Sequence, residues 1–273
     1  IIILKNSEIT IIKDPVGIIP IYYGENKYIK AISSDKKTLT YLDISQNLSI
    51  PPDHIVEVKK EETNFKPIRT LSKITYDKMT MEYASVTLQQ ILEASVKKRV
   101  QNLKEVAVAF SGGLDSSIIA FLCKKFGVNV HLIHVSLEKQ PETIEAINAA
   151  KELKIPVKIH IFKKTEMEKI IPKVINIIED YDVTNLSVGI PTYWTAKKTA
   201  ETGLKVLLTG TGADELFGGY KKYVNSFLCD GSRNVEKYIL KDISDIHKKN
   251  VERDFKICNF HNEIGRASCR ERV

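Results

Sequence analysis

The chain has 273 residues, 43% of them hydrophobic and 27% charged, which is enough for one large or two smaller domains with buried cores. No apolar stretch approaches the roughly 20 residues that a membrane-spanning helix needs. The four cysteines form no CxxC pair, which argues against a zinc site or a disulfide framework and favours a reducing cytoplasm. The net charge of +7 comes from scattered lysines, so we expect a solvated surface and no nucleic-acid or membrane partner.

Both ends of the chain lead us to expect a longer natural protein. The first residue is not methionine. The last residues, EIGRASCRERV, are rich in arginine, whereas the body of the chain is rich in isoleucine, lysine and asparagine. This tail resembles the translation of a common sequencing adapter. We therefore expect residues 264–273 to be a sequencing-adapter artefact and exclude them from fold prediction.

The first 70 residues or so have the pattern of strands and turns. Alternating or apolar segments separated by turn residues predict strands, and these segments are SEITIIKD, IIPIYYG, NKYIKAISS and, after a proline turn, IPPDHIVEV. A short helix is predicted over 35–42. Residues 60–79 are polar and aperiodic, so we expect a linker there. The predicted domains are accordingly 1–70, small and β-rich, and 71–263.

From Thr80 the apolar period changes to that of a helix, and helices and strands then alternate. The predicted strands are VAVAF, NVHLIHVSL, IPVKIHIF and LKVLLTG. The predicted helices are MEYASVTLQQILEASVKKRV, SSIIAFLCKKFG, PETIEAINAAKELK, EMEKIIPKVINIIEDY and PTYWTAKKTAETG. Strands this apolar are buried on both faces, which predicts an α/β fold with a parallel sheet and helices on both faces. Tyr193 and Trp194 are expected in the core, and His54, His131, His134 and His160 are expected to be packing or surface residues.

The first candidate site is the stretch VAVAFSGGLDSS, residues 106–117. Its glycines let backbone N–H groups close around an anion at the start of a helix, and its serines add hydroxyl donors. Asp115 would repel a phosphate unless Mg²⁺ lay between them. The GxxxxGK[ST] pattern is absent, so this loop is not a P-loop of the kinase or GTPase type.

The second candidate site is LLTGTGADELFGGYKKY, residues 207–223, which also follows an apolar strand. Gly210 and Gly212 allow a tight turn, while Asp214 and Glu215 supply carboxylates. The carboxyl ends of parallel strands share one edge of a sheet, so we expect this segment to meet the first loop.

These two motifs resemble the ATP pyrophosphatase domain of the asparagine synthetase family, whose fold is Rossmann-like. Residues 181–193, YDVTNLSVGIPTY, resemble that family as well. The segments KDPVGIIPIYY, AISSDKKTL and IPPDHIVEV resemble the second half of the glutaminase domain that precedes it, so residues 1–70 are expected to be a partial glutaminase-like domain. The resemblance covers nearly all of residues 7–230.

The resemblance implies an ATP-dependent ligase that adenylates aspartate and amidates it with ammonia from glutamine, releasing AMP and pyrophosphate. It implies ATP and Mg²⁺ as cofactors, with Asp115 and Asp214 as metal ligands. The implied catalytic positions are Asp115, Thr211 and Asp214. The implied nucleotide-binding positions are Phe110, Ser111, Gly112, Gly113, Asp115, Ser116, Ser117, Val135, Thr209 and Gly210. The resemblance leaves open whether the protein forms a homodimer.

Two positions depart from the family pattern, and both concern the acceptor substrate. Thr211 stands where the family typically has glutamate, and Ser187 stands where many members have arginine. Threonine cannot act as a base, so aspartate is less firmly implied than ATP. The alternatives are a related synthetase acting on another carboxylate and a non-catalytic nucleotide-binding remnant. A tRNA-modifying ATP pyrophosphatase is a further alternative, but it predicts a cysteine near the loop, a zinc site or a basic RNA-binding surface, and the sequence indicates none of these.

Overall fold

The computed structural model describes residues 1–68, 78–230, 232–261 and 266–268. The chain forms two compact units, which are Ile1–Lys78 with His247–Phe255, and Met79–Ile246 with Lys256–Val273. The predicted boundary after residue 70 falls within 69–77, outside the described residues. The sequence did not indicate that a segment near residue 250 would group with the first unit.

The first unit is built on two antiparallel sheets. One has the strand order β1-β2-β6-β7 and the other the order β4-β3-β5. The elements are β1 (Ile2–Lys5), β2 (Glu8–Ile12), β3 (Tyr22–Glu25), β4 (Lys30–Ser33), α1 (Lys36–Tyr41), β5 (Asn47–Ser49), β6 (His54–Val58) and β7 (Thr63–Pro67). The predicted helix over 35–42 is confirmed, and Asp35 caps it by accepting a hydrogen bond from the Thr38 backbone N–H.

Two predictions in this unit were wrong. The strand predicted over 18–24 begins only at Tyr22, because the Asp14 carboxylate accepts backbone N–H bonds from residues 16–18 and holds them in a turn. The linker predicted over 60–79 contains β7, which pairs antiparallel with β6. Its sequence, TNFKP, lacks apolar alternation, and backbone pairing rather than side-chain burial makes it a strand.

The second unit is built on a parallel sheet with the order β10-β9-β8-β11-β12. Its elements are α2 (Met81–Val100), β8 (Glu105–Ala109), α3 (Leu114–Lys125), β9 (Asn129–Leu137), α4 (Glu142–Leu153), β10 (Val157–Phe162), α5 (Lys164–Ile178), α6 (Val183–Glu201), β11 (Leu207–Thr209) and α7 (Ala213–Phe217). The chain continues through α8 (Lys221–Asp230), α9 (Ser232–Ile246), a π-helical turn (His247–Val251), α10 (Glu252–Phe260) and β12 (Arg266–Ser268).

Alternate residues of the sheet enter two separate cores. Val106, Val108 and Leu132 belong to a cluster packed with α2, α3 and α4. Ala107 and Ile133 belong to a second cluster packed with α5 and α6. The prediction of a parallel sheet covered on both faces is therefore confirmed. The expected core positions of Tyr193 and Trp194 are also confirmed, since both are buried in the second cluster.

The observed start of helix α6 differs from the predicted one because a capping residue determines it. Helix α6 was predicted from Pro191 but begins at Val183, because Asp182 caps it by accepting the Asn185 N–H, and the helix continues through Pro191. The residues that give α2 its helical apolar period are only partly buried. Ser95 and Val96 are buried, whereas Tyr83 and Val86 are exposed.

The arginine-rich tail contributes β12, which pairs in parallel with β11 over residues 266–268. The prediction that residues 264–273 derive from a sequencing adapter is not tested by this pairing. Across the part of the chain that the structure describes, no helix combines the length and apolarity needed to cross a membrane.

Candidate active site

The two motifs lie at the same edge of the sheet. Strands β8 and β11 are direct parallel neighbours, with Ala107 opposite Leu207 and Val108 opposite Leu208. Strand β8 has β9 on its other side, so the chain winds away from β8 in both directions. The crevice at such a switch point is where open α/β sheets bind ligands. Both glycine-rich segments leave their strands into this crevice.

The first loop turns sharply from β8 into α3 and leaves the helix start without a side-chain cap. The N-cap residue is Gly113, which has no side chain that could accept a hydrogen bond from the first-turn amides. Its backbone N–H donates to Ser111 Oγ at 3.2 Å, and Ser116 Oγ lies 3.2 Å from Ser111 Oγ. Hydroxyls and the first-turn amides of a twelve-residue helix are thus gathered at one point, which suits an anion.

Gly112 allows this turn for two reasons. Its φ of +84° is in the left-handed region. A side chain there would also collide with α4, because an added Cβ would lie 2.6 Å from Ala146 Cα and 2.7 Å from Ala146 N. The loop therefore rests directly on the backbone of α4.

Gly210 brings the second motif against the first. An added Cβ at Gly210 would lie 2.8 Å from Asp115 Cβ and 3.3 Å from Ser116 N. No side chain fits in that space, so glycine is what permits the backbone after β11 to touch the start of α3. This contact confirms the expectation that the two segments meet.

The contact concentrates negative charge. Burial, followed by the charges of Asp214 and Glu215, raises the pKa of the Asp115 carboxyl. Burial and the Glu215 charge raise the pKa of Asp214. Glu215 is itself buried and accepts a hydrogen bond from the Tyr220 hydroxyl at 3.0 Å. Carboxyl groups whose pKa is raised by burial and by neighbouring carboxylates in a crevice are typical of functional sites.

A cavity of about 610 Å³ opens beside these carboxylates. One wall is apolar and comes from α2 and α3, with Leu88, Leu92, Ile118 and Leu122 among its residues. The other wall contains five of the predicted site residues, Asp115, Thr209, Gly210, Thr211 and Asp214. The apolar wall was not predicted as part of a site, because its residues follow the ordinary stripe of a core helix.

Phe110 directly follows β8 and Val135 lies within β9, and neither residue lines the cavity. The Phe110 side chain is buried in the core shared with α2, α3 and α4, whereas Val135 packs against the opposite core. The Phe110 backbone N–H already donates to the Ile133 carbonyl at 2.9 Å. The two side chains therefore lie on different faces of the sheet, and the Phe110 side chain is enclosed in the core.

The two residues that depart from the family pattern occupy different surroundings. The Thr211 hydroxyl accepts a hydrogen bond from Thr209 Oγ1 at 2.9 Å and lies on the cavity wall. Ser187 is exposed on α6, where its hydroxyl donates to the Thr184 carbonyl at 2.8 Å.

The carboxylates of Asp115 and Asp214 are the type of ligand that the predicted Mg²⁺ would take. Among the described residues, no group of three or more His, Cys, Asp or Glu side chains is placed to hold a metal alone. Mg²⁺ usually takes one or two carboxylates and completes its shell with waters and substrate phosphates. Asp115 and Asp214 supply that number, and a cation would relieve the repulsion that raises their pKa values.

Comparison with known proteins gives a consistent result. The family model described as asparagine synthase matches residues 87–253. A putative glutamine-hydrolyzing asparagine synthetase from Methanocaldococcus jannaschii is 32% identical over 266 residues, which cover 92% of this chain and 49% of that protein. A probable glutamine-hydrolyzing asparagine synthetase from Acanthamoeba polyphaga mimivirus is 30% identical, covering 79% of this chain and 44% of that protein.

The chain spans about half the length of the curated relatives it matches. One solved structure, a predicted subunit of tRNA methyltransferase from Methanocaldococcus jannaschii, is 28% identical over 40% of this chain and 55% of that one, with a TM-score of 0.31.

Substituting Gly112 by alanine should destabilise the chain more than the same change at Gly127. Both residues have left-handed φ angles, +84° and +77°, so both variants carry a strain of about 1–2 kcal/mol. Only Gly112 has backbone atoms within 3 Å of the added Cβ, so its variant should lose roughly 1–3 kcal/mol more. Urea unfolding followed by circular dichroism measures both, and equal losses would show that the loop does not rest on α4.

Replacing Asp115 by asparagine should increase the stability of the fold, relative to the parent, more strongly as the pH rises. A carboxyl whose pKa is higher in the folded than in the unfolded chain destabilises the fold once it ionises, and this cost is absent below its unfolded pKa of about 3.9. The melting temperature of Asp115→Asn minus that of the parent should therefore increase between pH 4 and pH 7. Leu114→Ala, at an exposed uncharged neighbour, is the control and should show no such trend. A difference that falls with pH would contradict the raised pKa.

Proposed function

The chain belongs to the asparagine synthase family, and from this premise we propose that it binds ATP with Mg²⁺ and activates a carboxylate, aspartate in the first instance, for amidation. The observation that carries the proposal is the contact between Gly210 and the start of α3. This contact brings the loop at residues 111–117 against the segment that follows β11, and Asp115 and Asp214, one from each segment, both line the cavity.

The loop at residues 111–117 suits the β- and γ-phosphates. Its serine hydroxyls and the uncapped amides at the start of α3 are donors that strengthen as charge develops on a departing pyrophosphate. Asp115 and Asp214 would hold Mg²⁺, which neutralises phosphate charge when bound. The GxG turn at residues 210–212 brings backbone close to the nucleotide without side-chain obstruction.

The proposed reaction has two steps. An oxygen of the substrate carboxylate attacks the α-phosphorus, the bond from that phosphorus to the α–β bridging oxygen breaks, and pyrophosphate leaves with its electron pair. Ammonia then attacks the carbonyl carbon of the acyl-adenylate, AMP leaves, and the nitrogen loses a proton. The first step is needed because a free carboxylate is a poor electrophile. The site residues described above serve this first step.

Residues at the acceptor side leave a second candidate function. Thr211 cannot take a proton from the attacking ammonia, and Ser187 is exposed and carries no charge to grip a second carboxylate. The apolar cavity wall also offers little to the charged body of aspartate. These observations favour, as the alternative, a relative that amidates a less polar carboxylate by the same two steps.

The β-rich first unit is an argument for the proposal that the ammonia comes from glutamine. Its segments resemble part of a glutaminase domain, and the relatives above carry "glutamine-hydrolyzing" in their names. We propose that this unit contributes to such a domain in the whole protein.

Alanine at Asp115 or at Asp214 should reduce aspartate-dependent pyrophosphate release by about a hundredfold or more, since each removes charge stabilisation from the departing group. The assay uses the full-length gene product with ammonium as the nitrogen source. Asp35→Ala, which removes only the α1 cap, is the matched control and should keep its activity. Unchanged release in both site variants would refute the assignment.

Running the same assay on the parent protein with less polar carboxylates separates the two candidate functions. Pyrophosphate release that is faster with such a carboxylate than with aspartate would favour the second candidate function, amidation of a less polar carboxylate.

A further inference from the structure

His134 is a buried polar residue at the edge of the candidate site that neither motif includes. It is only 4% exposed. The last paired residues of β8 and β9 are Ala109 and Ile133, so His134 follows where the ladder between these strands ends. Its Nδ1 atom lies 2.8 Å from the Phe110 carbonyl oxygen, on the residue that leads into the anion-binding loop.

The Phe110 carbonyl fixes the direction of the hydrogen bond made by His134 Nδ1. A carbonyl oxygen only accepts, so Nδ1 carries the proton and donates to Phe110. In the neutral ring Nε2 is then an acceptor, and the Thr143 hydroxyl, 3.3 Å away, donates to it. Ser136 Oγ lies 2.8 Å from Thr143 Oγ1 and completes the chain as a donor. Ser136 is also buried, whereas Thr143 is half-buried at the outer end of these bonds.

These bonds join two parts of the molecule that support the loop from opposite sides. Phe110 is where the loop leaves β8. Thr143 lies in the first turn of α4, the helix whose Ala146 backbone touches Gly112. The imidazole therefore fixes the origin of the loop relative to the helix on which the loop rests.

We propose that His134 is a positioning residue for the proposed nucleotide site, which holds the loop at residues 111–117 in the shape that accepts the phosphates of ATP. It acts through the Phe110 carbonyl and Thr143 and does not touch the substrate. The proposal rests on the proposed function for the identity of the ligand, but the effect on loop order does not depend on any ligand.

The test measures amide hydrogen exchange of the ligand-free protein and its affinity for ATP with Mg²⁺ by calorimetry. His134→Ala should increase exchange at residues 111–117 while residues 105–109 in β8 keep the protection of the parent. Affinity should fall about tenfold, the factor equivalent to 1.4 kcal/mol. His134→Asn should restore most of both, because its amide N–H occupies the place of Nδ1–H and can donate to Phe110.

His131→Ala is the matched control. His131 lies on the same strand but bonds Glu105 and Asn129, away from the loop. It should leave loop exchange and ATP affinity as in the parent. Thr143→Val, which removes the link to α4 and keeps a β-branched side chain, should reproduce part of the His134→Ala effect and decides the question if His134→Ala does not fold.

Parent-like loop exchange in His134→Ala, or in Thr143→Val if the former does not fold, would overturn the positioning role. Equal loss of protection in the loop and in β8 would also overturn it, since that result describes general destabilisation. If the parent itself does not bind ATP with Mg²⁺, the proposed function fails while the exchange result still decides the role of His134.

Discussion

The parallel pairing of β8 with β11 is the interaction on which the candidate site depends. It sets the two strand ends level, and the glycine that follows β11 then meets the start of α3 with no room for a Cβ. Each motif alone is a strand followed by a turn and a helix. Together they bring Asp115 close enough to Asp214 for the charge of the latter to raise its pKa. The chemistry thus arises from the topology of the sheet more than from either segment.

The site is electrostatically costly, which is consistent with a binding role. Burial acts against the ionised forms of Asp115 and Asp214, and the charge of Glu215 raises the pKa of both, with that of Asp214 also raising the pKa of Asp115. A structural role would be met more simply by neutral side chains. The surrounding fold holds this arrangement through rigid contacts, namely Gly112 on α4 and the buried hydrogen bonds of His134.

Much of the second unit could be predicted because its signals are local. The apolar runs of β8 and β9 indicated buried parallel strands, and the glycine spacing of both motifs indicated turns at their ends. The limits of α6 and the strand β7 could not be predicted, because a cap at Asp182 and a backbone pairing with β6 decide them. The role of His134 could not be predicted either. Its partners Phe110 and Thr143 come together only once the sheet and α4 have packed.

The central claim is that the loop at residues 111–117 and the segment after β11 hold one metal–nucleotide complex. A crystal structure of the protein with ATP and Mn²⁺, with the metal located by its anomalous scattering, tests this most directly. The account predicts one manganese peak between the carboxylates of Asp115 and Asp214, with the phosphates against residues 111–117. A manganese ion that contacts neither aspartate, or a nucleotide bound away from that loop, would contradict it.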